Sequence, residues 1–438
     1  MFLTKVIIKR INSSDLSRRL FHGSFWSLFG AITGRVITLI SYIWIARLLG
    51  QNMYGEFGIL RSTISMFMVL AGMGIGATAS KYIAQYRNSD PDYAGEIYAL
   101  SNLVTVIGGG LFVLILVFFS PYIAQYSLHN IQLSSEIKLS AAVLFFVTLN
   151  SAQSGTLAGF ENFKSIAINT LVSCALQGVC MVVGCYYLKI SGVLIGWGVG
   201  CFVLWLLNNR CIVKQLDKYN VKYKLRAINK KTFNVLWRFS LPATLSSLMV
   251  VPVLWWAKTY LISRSGYSEM AVFDVADQWS MMVLFIPTAL AQIILPLLSN
   301  TLEEGTSDQY LKLIKMNILI NAFITFLLSV GVCLLGRYIM GLYGNGFVDI
   351  ETLTLMMIAS MAMSVCNVVG QVIASYGRMW LGFLFNFCWG IMLFLFSLLF
   401  IKDMGAKGLA LAITCSYILF FVIQLIYIVK VIFRKQTI

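Results

Sequence analysis

Five charged residues sit inside apolar stretches of the chain: Arg35, Arg61, Lys258, Asp274 and Asp277. A charge at the centre of a membrane helix costs roughly 2.5–3.5 kcal/mol on insertion scales, so such a residue faces a wet cavity or a partner. Arg35 lies in mid-stretch, where its side chain cannot easily reach an interface, and it is the first candidate for a functional cation. Arg61 and Lys258 lie nearer the ends of their stretches. A long cationic side chain there either serves a cavity or reaches the headgroups. Asp274 and Asp277 stand one turn apart on one helical face. They either bind a coupling H+ or Na+ or neutralise neighbouring cations.

The neighbours of Arg35 extend the pattern. Ser24, Ser27, Ala31, Arg35, Thr38 and Tyr42 follow at steps of three or four, the spacing of one helix face. A helix bathed in lipid needs no such small-and-polar stripe, so Ser27, Thr38 and Tyr42 are expected to line a water-filled vestibule. Asn150 and Gln153 are polar within another apolar stretch and either line a cavity or join helices by hydrogen bonds.

The elements that must position these residues are membrane helices. With 59% hydrophobic and 11% charged residues over 438 positions, and no long polar block, the chain is a polytopic membrane protein rather than a soluble one. Twelve spans are expected at about 21–49, 58–80, 97–119, 138–158, 165–188, 190–209, 237–262, 271–299, 314–336, 350–376, 379–401 and 405–429. The organisation that follows is a basic leader (1–20), an N-lobe of six helices (21–209), a basic linker (210–236), a C-lobe of six helices (237–429) and a tail (430–438). Placing the N-terminus in the cytoplasm puts most of the 33 Lys and Arg on that side, the linker above all. The net charge of +16 is therefore a topology signal with both termini cytoplasmic, not a nucleic-acid footprint. No cleavable signal peptide is expected, because the first apolar run is too long for one. The nine cysteines form no CxxC pair and read as packing residues, and no metal site is expected.

The second half repeats the first at a constant offset of 216 residues. Gly50 falls on Gly266, Phe57 on Phe273, Tyr122 on Tyr338, Ala158 on Ala374 and Gly192 on Gly408. A parallel repeat of six helices predicts two lobes around a central transport site. The same register sets Arg61 on Asp277, and an Arg61–Asp277 pair is expected to close an outward gate. Pro242, Pro252, Pro287 and Pro296 mark the seventh and eighth spans as bending elements, while Gly30 and Gly34 soften the first helix. The glycine run Gly108–Gly110 reads as a close-packing site.

The runs Leu48–Leu60 (LLGQNMYGEFGIL), Leu70–Gly76 (LAGMGIG) and Lys81–Tyr86 (KYIAQY) resemble the N-terminal signature of polysaccharide transporters of the O-antigen flippase type. That family shares a superfamily with multidrug/toxin extruders and lipid II flippases. The resemblance implies an all-α, V-shaped, two-lobed alternating-access transporter of twelve helices with a cationic cavity. Its implied cargo is an undecaprenyl-pyrophosphate-linked oligosaccharide, moved between leaflets of the bacterial plasma membrane with H+ or Na+ as coupling ion and no other cofactor. Implied partners are the lipid-linked oligosaccharide, membrane lipids and assembly proteins such as the polymerase, with no nucleic acid. Arg35, Arg61 and Lys258 then serve as substrate-binding cations, Arg offering bidentate charge-assisted bonds to a pyrophosphate. Lipid II flippases place cations in their first, second and eighth helices. The eighth helix here carries Asp274 and Asp277 instead, which disfavours lipid II as cargo.

Two other readings compete. A multidrug exporter of the same superfamily would be expected to use carboxylates for organic cations. A membrane glycan polymerase or ligase would need a large extracytoplasmic loop, whereas the longest outward loop is about 120–137. No catalytic residue is expected, and no Walker A motif is present.

Overall fold

The computed structural model describes residues 15–222, 248–290, 307–376 and 379–427, together with Leu245 and Leu298. Among them the regular structure is entirely helical: α1 (Asp15–Gly72), α2 (Ile75–Tyr86), α3 (Pro91–Tyr122), α4 (Ser134–Gly159), α5 (Phe163–Lys218), α6 (Val251–Val283), α7 (Ser307–Leu334), α8 (Gly336–Tyr343), α9 (Ile350–Ser375) and α10 (Met379–Tyr427). A π turn at Ile123–Ser127 and a 3-10 turn at Ile131–Leu133 join α3 to α4.

Four of these helices are interrupted at one residue. α1 breaks at Gly50 (φ 73°, ψ 170°), α5 at Lys189 (φ 50°, ψ −128°), α6 at Gly266 (φ 84°, ψ 179°) and α10 at Gly405 (φ 55°, ψ −130°). A positive φ turns the chain out of the helix, and glycine adopts it without the Cβ clash. Seven described stretches are long and apolar enough to cross a membrane, from Leu28–Gly72 to Trp380–Tyr427. Three of them contain a break and supply two limbs each. That makes ten limbs, and the two limbs of α6 fall on the expected seventh and eighth spans, which run partly outside the described residues.

The offset of 216 residues governs the backbone as well as the sequence. The breaks pair as Gly50 with Gly266 and Lys189 with Gly405, each pair with matching dihedral angles. The helix starts at Ser134 and Ile350 pair at the same offset. The polar run Gly50–Glu56 reads as a turn from its composition; the turn is there but is shorter, since Gly50 alone accomplishes the change of direction and the helix resumes at Gln51.

The chain forms two compact units. The first comprises the described residues of Met1–Tyr42, Phe67–Ser120 and Ser135–Thr244. Small residues hold it together. Along α1, Gly30 faces Ala167, Gly34 faces Thr170 and Cys174, and Ser41 faces Gly178, all on α5. A Cβ on Gly30 would lie 2.7 Å from Ala167, so Gly30 is a close-approach residue, whereas one on Gly34 would make ordinary contacts at 3.6 Å. Gly108 likewise meets the Ala71 carbonyl and Gly109 the Phe145 ring. The two limbs of α5 fold back on each other through Gly184 and Gly192, Gly196 and Cys180, and Gly200 and Gln177.

The second unit comprises the described residues of Ile43–Met66, Pro121–Ser134 and Leu245–Ile438. Two segments of the first repeat thus fall within it. Gly55 abuts the Tyr267 carbonyl, leaving no room there for a side chain. Pro252 occupies the first turn of α6, where its missing N–H costs nothing, directly after a turn at Met249 and Val250. Pro287 follows the end of that helix; Pro242 and Pro296 lie outside the described residues.

Candidate functional site: paired charges on α1 and α6

The second limb of α1 and both limbs of α6 bring four of the five embedded charges into the second unit. Arg61 Nη2 lies 2.6 Å from Asp274 Oδ1, with Asp274 1% and Arg61 17% exposed. The other carboxylate oxygen of Asp274 accepts a 2.9 Å bond from Gln278 Nε2, one turn along α6. Gln278 also donates to the Tyr54 hydroxyl at 2.8 Å. Asp274 is thereby held on both oxygens, which is how a buried carboxylate is satisfied.

Room for this arrangement comes from Gly58, the register mate of Asp274. A Cβ at Gly58 would stand 3.1 Å from the Asp274 carboxyl carbon. The pair differs from the expected Arg61–Asp277. Equivalent positions 58 and 274 meet face to face, so Arg61, one turn beyond Gly58, reaches Asp274. Asp277 is instead bound by Lys258 Nζ across the α6 break at 2.9 Å, with 17% and 11% of the two side chains exposed. Lys258 also stands over the Phe273 ring.

Aromatic and hydroxyl groups close around these pairs. The Trp255 indole N–H donates to Thr63 Oγ1 at 2.9 Å, joining the two helices that carry Lys258 and Arg61. Tyr54, Phe57, Tyr343 and Phe347 pack as a buried cluster on the far side of Gln278. Tyr267, at the α6 break, donates its hydroxyl to the Leu128 carbonyl. Burial pushes its phenol well above the usual range and keeps it a neutral donor.

The first unit holds the other candidates. Arg35 is exposed on the first limb of α1. Thr38, one turn away, donates to the Gly34 carbonyl at 2.8 Å, and Tyr42 is buried. The side chain of Ser27 lies outside the described residues. Asn150 is buried and donates to the Cys201 carbonyl at 2.8 Å, the helix-joining arrangement, and Gln153 is buried beside it on α4. Arg35 and the charge pairs therefore stand in different units.

Sequence reasoning missed several anchors. Gln278 is legible in hindsight, since it follows Asp274 by four residues and shares its face. Tyr54 and Trp255 carry no such signal. Arg87, counted only as a topology charge, is 4% exposed and joins the end of α2 to the end of α4. It donates to the Gly159 carbonyl at 2.9 Å and pairs with Glu161 at 2.6 Å. The nine cysteines are free thiols.

Comparison with known proteins places this arrangement in context. The sequence pattern of the family described as "polysaccharide biosynthesis protein" matches residues 20–302. A Shigella flexneri protein named as an O-antigen transporter is 22% identical over 333 residues, covering 74% of this chain and 75% of its own. An EPS I polysaccharide export inner membrane protein, EpsE of Ralstonia nicotianae, is 23% identical over 195 residues, 43% of this chain and 44% of its own. Among solved structures, an inward-facing multidrug resistance MATE transporter of the MOP superfamily superposes with a TM-score of 0.83. It is 15% identical, over 94% of this chain and 99% of that one, and at this identity the likeness speaks for the fold.

Proposed function

Since the chain belongs to the polysaccharide biosynthesis protein family, we propose that it is a flippase for an undecaprenyl-pyrophosphate-linked oligosaccharide. The cargo is an O-antigen or similar surface glycan unit, carried from the inner to the outer leaflet of the bacterial plasma membrane. Alternating access, coupled to an H+ or Na+ gradient, moves it, with both termini in the cytoplasm and a polymerase receiving the product. The observation that carries the reading is the sign of the charges. Asp274 and Asp277 are each engaged by a cation, and Arg35 adds a positive charge at an exposed position of α1. A fixed guanidinium in a low-dielectric site suits a diphosphate, with bidentate charge-assisted bonds. An exporter of organic cations would want its carboxylates free, so the engaged aspartates favour the glycan cargo.

In this reading Arg35 is the principal substrate cation, with Arg61 and Lys258 secondary. Arg61–Asp274 and Lys258–Asp277 are the pairs that a gate or a coupling ion acts on. Proteoliposomes carrying the lipid-linked oligosaccharide test it, comparing wild type with Arg35→Gln under an imposed and a collapsed ion gradient. Flipping is expected to fall at least about tenfold in the variant while its melting temperature is kept. Normal flipping by Arg35→Gln would remove the cationic role from that residue.

A further inference from the structure

The Gly50 break borders a cavity of about 430 Å³ within the second unit, a volume in the range of small-molecule sites. Arg47, Gln51 and Asn345 supply its polar groups, and Gly341, Gly344 and Gly346 form much of its floor. Tyr343 and Phe347, both buried, close the bottom. No carboxylate lines it.

The repeat shows that this space is not a by-product of the fold. At the Gly266 break, a shift of 216 residues sets Ser263 where Arg47 stands, Tyr267 for Gln51, and Gln125, Leu128 and Asn130 for the three glycines. There Tyr267 reaches the Leu128 carbonyl, and Asn130 donates to Glu56 Oε1 at 3.2 Å. Side chains thus occupy the second turn where the first has glycine. A Cβ on Gly341 would meet no atom within 4 Å, and one on Gly344 none nearer than 4.0 Å, so both positions open into free space. At Gly346 a Cβ would come within 2.6 Å of Gln51 Oε1, so only glycine lets that carboxamide lie against the backbone.

Arg47 is oriented in the cavity wall. Its Nε–H donates to the Leu342 carbonyl at 2.6 Å, which fixes the guanidinium plane and leaves the two terminal amino groups as its remaining donors. Gln51 donates to the Ser268 carbonyl at 3.3 Å, which fixes its amide in turn. A planar, pre-oriented guanidinium in a concave site without a carboxylate matches the two oxygens of a phosphate or carboxylate.

We propose that this cavity is an oxyanion-binding subsite, in which Arg47, with the Asn345 carboxamide beside it, takes one phosphate or carboxylate group. The inference stands on the cavity and its counterpart, not on the identity of the transported cargo.

Titration calorimetry on the purified full-length protein in detergent, with inorganic pyrophosphate, glucuronate and glucose as probes, tests it for soluble ligands. A parallel arm compares melting in nanodiscs of phosphatidylglycerol and of phosphatidylcholine. Binding of pyrophosphate or glucuronate, but not glucose, is expected, weakened at least about tenfold by Arg47→Gln. Gly341→Leu fills the cavity from a helical position and leaves Arg47 in place, so it should weaken binding alike; it decides the matter if Arg47→Gln does not fold. Ser263→Ala, at the filled turn, should change nothing. Arg47-dependent protection by phosphatidylglycerol alone would assign the group to a lipid headgroup. Absence of Arg47-dependent binding in both arms, or equal binding of glucose, would overturn the proposal.

Discussion

The Gly50 turn of the first repeat and the Gly266 turn of the second share a backbone and differ in what fills them. Both pass through a glycine with φ near 80° and ψ near 180°. Around Gly266, the half-buried Tyr267 donates its hydroxyl to the Leu128 carbonyl. Around Gly50, Gln51 and three glycines leave a cavity beside Arg47. The same asymmetry recurs deeper in the second unit, where Gly58 of the first repeat yields its space to Asp274 of the second. The two copies keep a common chain path, and the differences between them lie where glycine in one faces a functional group in the other.

Three substitutions probe that comparison beyond the transport and binding experiments described above, and the largest effect falls on the deeper pair. Asp274→Ala strands the Arg61 guanidinium and the Gln278 amide in a buried site, and removing one partner of such a pair costs about 3–5 kcal/mol. Melting in detergent should fall accordingly, and Arg61→Leu added to it should recover much of the loss. An Asp274→Ala protein as stable as wild type would dissolve the idea that Gly58 makes room for a structural pair. Next, Tyr267→Gln converts the filled turn to the composition of the open one. It removes a half-buried ring and a hydrogen bond, worth about 1–3 kcal/mol, and an unchanged melting curve would show that the two turns do not differ in packing. The smallest effect is expected at the second pair of breaks. Lys189 adopts a positive φ that its mate Gly405 holds without strain, so Lys189→Gly should stabilise by about 1 kcal/mol. Destabilisation there would mean that the lysine side chain makes up for its backbone.

The repeat was legible because helix starts and breaks follow from local signals that survive in both copies. Ser134 and Ile350, or Gly50 and Gly266, mark the same boundaries at one offset. The partner of Arg61 was not, for a physical reason. An offset matches equals with equals, whereas a contact between the copies depends on which side chain is large and which is absent. Gly58 opposite Asp274 diverts the pairing by one turn, and no spacing rule reveals it. The polar run Gly50–Glu56 overstated the turn in length, because Gly50 alone makes it. The composition around Arg35 gave its helix, but not that Gly30 serves the close contact with α5.

The single-residue breaks have a consequence for orientation. At Lys189 and Gly405 the chain passes from one limb to the next without a loop, and close glycine contacts, Gly184 with Gly192 and Gly408 with Phe400, begin within a few residues of each break. With no spare chain between them, the two limbs at each break are tied in opposite directions across the bilayer, so reversing one requires reversing the other.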